Sequence, residues 1–146
     1  MKSAYAEYTR VPVEKTKTDI EATLMRYGAD RFAYFTEASK AIIIFEAHER
    51  RLRFDLPLQE GASEKAQRLR RQQWRALLLC IKAKLQAVAS KIETFEEAFL
   101  AHVVMPDGKT VYEHTGPRIA QIAKGGEMVP LLPGPKDQHD AQERKR

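Results

Sequence analysis

One cysteine in 146 residues excludes an internal disulfide, and with it the small secreted scaffolds that depend on such bonds. That residue, Cys80, sits in the apolar run ALLLCI, so its thiol is expected to serve as a small core side chain. No apolar run approaches the ~20 residues of a membrane-spanning helix. The opening MKSAYAEYTR also lacks the apolar centre of a secretory signal. These absences describe a cytoplasmic chain with no membrane partner.

Catalytic signatures are equally sparse. The phosphate-binding pattern G-x-x-x-x-G-K-S/T, the dinucleotide pattern G-x-G-x-x-G and the nucleophile elbow G-x-S-x-G are all missing, and K-G-G at 124–126 reads as a helix stop. Structural zinc takes four ligands whose spacing normally shows in sequence, and His48, His102, His114 and His139 show none, so no metal and no cofactor is expected. Glu96 and Glu97, with Asp107 and Glu113 beyond, are the carboxylates a divalent ion would draw on. Glu96 and Glu97, however, fall in the first turn of an expected helix, where the helix dipole favours acids. No catalytic residue is assigned.

What is present is a single-domain composition, 43% hydrophobic and 31% charged, with a net charge of +5. The charge is concentrated. Residues 50–86 hold ten cations against three acids, and the remainder of the chain is net acidic by two. Such an asymmetry is the electrostatic footprint of a nucleic-acid or acidic-protein binder.

Residues 1–17 have no sustained period and read as an arm, in which Tyr5 and Tyr8 offer weak stacking surfaces. The capping-box pattern T-D-I-E at 18–21 starts a first helix, with Ile20, Leu24 and Tyr27 on one face and Gly28 as its stop. Segments 31–36, 40–46 and 50–56 are rich in β-branched and aromatic residues between short polar turns, the pattern of an antiparallel meander. In the third, Leu52, Phe54 and Leu56 face one way and Arg51, Arg53 and Asp55 the other.

Ser63 suits the N-cap of a helix running to about residue 89. Trp74, Leu77, Leu78, Ile81, Leu85 and Val88 fall in one stripe expected to pack on the sheet. Arg68, Arg71, Arg75 and Lys82 share an adjoining flank, and Arg68, Arg75 and Lys82 recur every seven residues, about 10.5 Å along the axis.

T-F-E-E at 94–97 begins a short helix with Phe95, Phe99 and Leu100 as core residues. HVVMPDGKTVY reads as a small hairpin, and Pro117 as the first turn of a last helix, 117–124, stopped by Gly125 and Gly126. MVPLLPGP reads as an extended strap over an apolar groove, and 134–146 as a disordered polar tail. The expected architecture is thus α+β, a single domain over 18–133: N-terminal helix, three-stranded antiparallel meander, long basic amphipathic helix, short helix, small hairpin and C-terminal helix. The double-stranded RNA-binding domain shares the order helix, three strands, helix, but the short EAS loop and the lack of a lysine-rich signature limit that likeness to element order.

The runs IEATLMRYGADRF, RRLRFDLPL and RQQWRALLLCIKAKLQAVASKIETFEEAFLAHVVMPDGKTV resemble a widespread family of small uncharacterised proteins encoded by phages and prophages. The resemblance spans about residues 17–133 and centres on W-R-A-L-L and on F-L-A with P-D-G-K-T-V. It implies a mobile-element setting in a bacterial cytoplasm and brings no residue roles with it.

Three readings follow. The first is a non-enzymatic accessory protein that binds DNA or RNA through Arg51, Arg53, Arg68, Arg71, Arg75 and Lys82, by phosphate contacts with little sequence specificity. The second is an inhibitor or adaptor, for example against a host defence, that sets the same cations on an acidic host protein and docks through the strap or the arm. An enzyme using Glu96, Glu97 or Asp107 is third, a self-assembling structural role stands behind these, and a homo-oligomer is compatible with each. The first reading weakens if the acidic segment 93–97 neutralises the 68–82 flank internally.

Overall fold

The computed structural model describes residues 10–134. The arm residues 1–9, with Tyr5 and Tyr8, and the tail residues 135–146, with His139, lie outside the described residues.

Helix α1, Val13–Met25, starts five residues before the expected Thr18. Pro12 sets its N-terminal boundary in an extended conformation, and the Thr16 amide donates to the Pro12 carbonyl. Thr18 is therefore an interior residue whose hydroxyl bonds back to the Glu14 carbonyl at 3.0 Å. The same Ser/Thr chemistry serves a helix start and a mid-helix back-bond, and T-D-I-E does not tell them apart. Ile20 and Leu24 enter the core while Tyr27 stays exposed beyond the helix end, where Gly28 takes the left-handed turn.

The meander forms as expected: β1 Asp30–Thr36, β2 Lys40–Ala47 and β3 Arg50–Pro57, antiparallel in the order β1-β2-β3. The β2–β3 turn has positive φ at both His48 and Glu49, the requirement of a two-residue hairpin whose twist matches its strands. His48 is held there by donating to the Tyr27 carbonyl at 3.2 Å and by packing on the Phe95 ring.

Register then sorts the side chains. Ala41, Ile43, Phe45 and Ala47 of β2 and Leu52, Phe54 and Leu56 of β3 point into the core, covered by α1 and α2. Phe32, Phe45, Phe54 and Phe99 form an aromatic ladder across that face, with neighbouring centroids 6.2–6.3 Å apart. Such stacked and edge-on contacts add to the hydrophobic burial itself.

Helix α2, Glu64–Ala89, is capped by Ser63, whose hydroxyl accepts from the Ala66 amide. Trp74, Leu77, Leu78, Ile81 and Leu85 are buried and Val88 packs at the margin. Cys80 corrects the expectation for its thiol: it is exposed, because the run ALLLCI extends around the helix and position 80 lies about 100° from the centre of the core stripe.

Helix α3, Phe95–Phe99, has the full capping box between Thr94 and Glu97. Phe99 is buried and Phe95 packs at the core margin, but Leu100, in a following single 3-10 turn, is exposed rather than core. The hairpin at 103–110 is reduced to one antiparallel bridge, Val104 to Thr110, while Val103 bridges to Leu52 and closes the outer edge of β3. Thr110 then caps α4, Val111–Gly125, with a second capping box to Glu113. The last helix therefore begins six residues before Pro117, which sits inside it rather than in its first turn. Gly126 ends it in the left-handed conformation. The strap after it is irregular and is tied to α4 by Arg118, which donates to the Pro130 and Leu132 carbonyls.

Candidate nucleic-acid interface

The six arginine and lysine positions singled out from sequence do not form one surface. Because α2 packs on the Leu52, Phe54 and Leu56 face of β3, strand alternation sends Arg51 and Arg53 to the opposite side of the sheet.

Arg53 is not available to a ligand. Its guanidinium, largely covered, donates to the Gly108 carbonyl at 3.0 Å and to the Glu113 carboxylate, and its Nε lies 3.2 Å from Asp55. It ties β3 to the 105–110 turn and to the first turn of α4. Glu113 is held below its usual carboxylate range chiefly by the Thr110 amide, with the Arg53 charge adding to that. Arg51 is exposed, yet it faces Glu46 at 3.2 Å.

On α2 the cations divide into two groups. Arg70 folds over the preceding loop and donates to the Gln59 and Gly61 carbonyls at 2.9 and 2.6 Å. Lys84 donates to the Ala98 carbonyl at 3.0 Å beside the Phe99 ring, so it anchors α3. Arg71 is half-buried, 4.0 Å from Glu64. Arg68, Arg75 and Lys82 have no ion pair or side-chain hydrogen bond among the described residues; Arg68 and Lys82 are exposed and Arg75 half-exposed.

The acidic segment does not neutralise this line. Glu96 pairs with Arg50 at the start of β3, and Glu97 closes its own helix cap. The neighbouring acid comes instead from α1, which packs along α2. Asp19 accepts from Lys15 at 2.8 Å, and its carboxyl is held low first by that bond and then by the charges of Lys15, Arg75 and Lys82. Arg75 and Lys82 thus feel Asp19 through space without pairing to it. α1 also places Lys17 Nζ 5.1 Å from the Trp74 ring centroid, a cation over the aromatic edge of α2 that the sequence reading did not anticipate. Only the packing of α1 on α2 reveals it.

The carboxylates do not converge. Asp107 pairs with His114 at 2.7 Å, a bond that holds its carboxyl low, while Glu96, Glu97 and Glu113 serve the partners described above. Among the described residues no cluster of histidine, cysteine and acidic side chains suits a metal ion, and no helix is long and apolar enough to cross a membrane. What the arrangement offers chemically is three cationic side chains in line, their positions stepping about 10.5 Å along the helix axis. That step is close to the ~12 Å width of a duplex major groove.

Comparison with protein-family models, with curated proteins and with solved structures finds no match to this chain.

Proposed function

We propose that the chain is a non-enzymatic phage or prophage accessory protein that binds nucleic acid through the solvent flank of α2, contacting phosphates without reading bases. One observation carries the reading: Arg68, Arg75 and Lys82 stay unpaired among the described residues on a helix whose seven cations face Glu64 as its sole acid. Elsewhere the fold pairs its cations readily, as at Arg50, Arg51 and Arg53. A line of cations without ion pairs is a surface suited to an external polyanion.

The test is binding to single- and double-stranded DNA and RNA at several salt concentrations. Six phosphate contacts, the full set of cations named from sequence, would give a slope of log affinity against log salt near −5 on duplex DNA. With Arg53 occupied, Arg51 on the far side of the sheet and Arg71 half-buried beside Glu64, three contacts remain and the expected slope is about −3. A chain that no nucleic acid retains at low salt overturns the proposal.

A second reading, an inhibitor or adaptor on an acidic host protein, uses the same cations. It is favoured by the side of the sheet turned away from α2, where Phe35 is exposed and its register partner Ile42, with Ile44, is half-exposed. Capture of an acidic protein with no nucleic-acid retention selects it.

A further inference from the structure

Helix α4 is the anomaly of the fold. It has fifteen residues and none is buried, although its sequence is amphipathic. It contains Gly116 and Pro117, both poor helix formers, and isolated helices shorter than ~12–15 residues are marginal in water. Its inner side meets the 3-10 turn and the strap. Its outer side carries Tyr112, Gly116, Ile119, Ala120 and Ala123, which fall within about 100° of one another on the helix. Tyr112 is 64% and Ile119 52% exposed. The Tyr112 ring lies down over Gly116, where an added Cβ would come within 2.8 Å of it.

We infer that this stripe is the contact between two copies of the chain, packed through α4 in antiparallel fashion about a twofold axis near Ile119. Charge selects that occupant. Glu113 and Lys124 border the same edge of the stripe at opposite ends of the helix. An antiparallel copy brings Glu113 of each chain to Lys124 of the other, with matched signs at both ends. The Glu113 carboxylate keeps 40% exposure despite its bond to Arg53, so it has room for that second cation. Charges over 111–127 cancel, Glu113 and Glu127 against Arg118 and Lys124. Two copies therefore meet there without repulsion, whereas two α2 flanks would repel. Shape agrees: the antiparallel register sets Tyr112 over the small Ala123–Gly126 end of the other helix, large against small. A twofold contact is self-complementary by construction, as this pairing requires. The polar side of α4 is poor in lysine and arginine, unlike helices that lie on membranes.

The experiment is sedimentation of the full chain over a wide concentration range, with three variants. The wild type is expected to be a reversible dimer. Ile119→Asp is expected to raise the dimer dissociation constant at least tenfold. Lys124→Glu, at an exposed position, should raise it several-fold, and less so at high salt. Should Ile119→Asp also lose helicity, the decision passes to Cys80→Ser/Ile119→Cys, which is expected to form a disulfide-linked dimer on mild oxidation because residue 119 faces its own copy. A wild-type chain that stays monomeric overturns the inference, as does a dimer indifferent to Ile119→Asp or one that Ile119→Cys fails to cross-link. Binding of the monomer to anionic phospholipid vesicles, lost in Ile119→Asp, would assign the stripe to a membrane and overturn it too.

Discussion

Arg53, on the face of β3 turned away from α2, donates to the carboxylate of Glu113, sixty positions further along the chain. That bond joins the meander to the cap of α4, since Glu113 also accepts from the Thr110 amide at 3.1 Å. Arg53→Gln should lower stability by about 1–2 kcal/mol, a charged hydrogen bond discounted because Glu113 is partly exposed. It should leave the salt slope of nucleic-acid binding unchanged. Chemical denaturation and binding measured on the same variant check both halves.

Arg68 and Arg75 should behave in the opposite way. Replacing both with Gln is expected to flatten the salt slope by about 2, with weaker binding across all sequences. Stability should change by less than about 0.5 kcal/mol, as for ordinary surface positions. A slope that does not move places the contact elsewhere.

Leu78 is fully buried between α2 and the sheet. Leu78→Ala should cost about 2–5 kcal/mol through the cavity it leaves, read as a shift in the denaturation midpoint without a change in m-value.

Thr110 is buried and its hydroxyl accepts from the Glu113 amide at 3.2 Å. Thr110→Ala should cost about 1 kcal/mol. The loss should appear locally, as faster hydrogen exchange through the first turn of α4.

His102 stacks on Phe54 with centroids 3.8 Å apart, and its Nδ1 donates to the Arg53 carbonyl at 3.2 Å. Burial, and next the Lys84 charge, depress its pKa, outweighing the bond to Arg53. The unfolded chain therefore takes up the proton more readily. This contribution to stability is complete above the unfolded value of about 6.5 and is lost as pH falls toward the folded value. Asp107 and Glu113 are depressed as well, so a second loss begins below about pH 4.5. His102→Gln should abolish the upper limb of the stability–pH curve and keep the lower one.

The sequence alone determined the meander, the span and core stripe of α2, the caps at Ser63 and Thr94, and the stop at Gly126. Each depends on residues no more than a few positions apart, whose period or side-chain-to-amide geometry is a property of the local chain. Helix starts are ambiguous where two local signals compete. T-D-I-E imitates a start inside α1, while the true box T-V-Y-E at 110–113 stands among β-branched residues and ahead of Pro117. Tertiary structure alone decided which cations remain open. Arg53 and Arg50 are taken up by acids sixty and forty-six positions away, Arg70 and Lys84 by backbone carbonyls, and Asp19 approaches Arg75 and Lys82 only because α1 lies along α2. A charge count along a helix records how many cations it carries. Which of them meet a partner depends on what the fold brings within a few ångströms, and no local pattern encodes that distance.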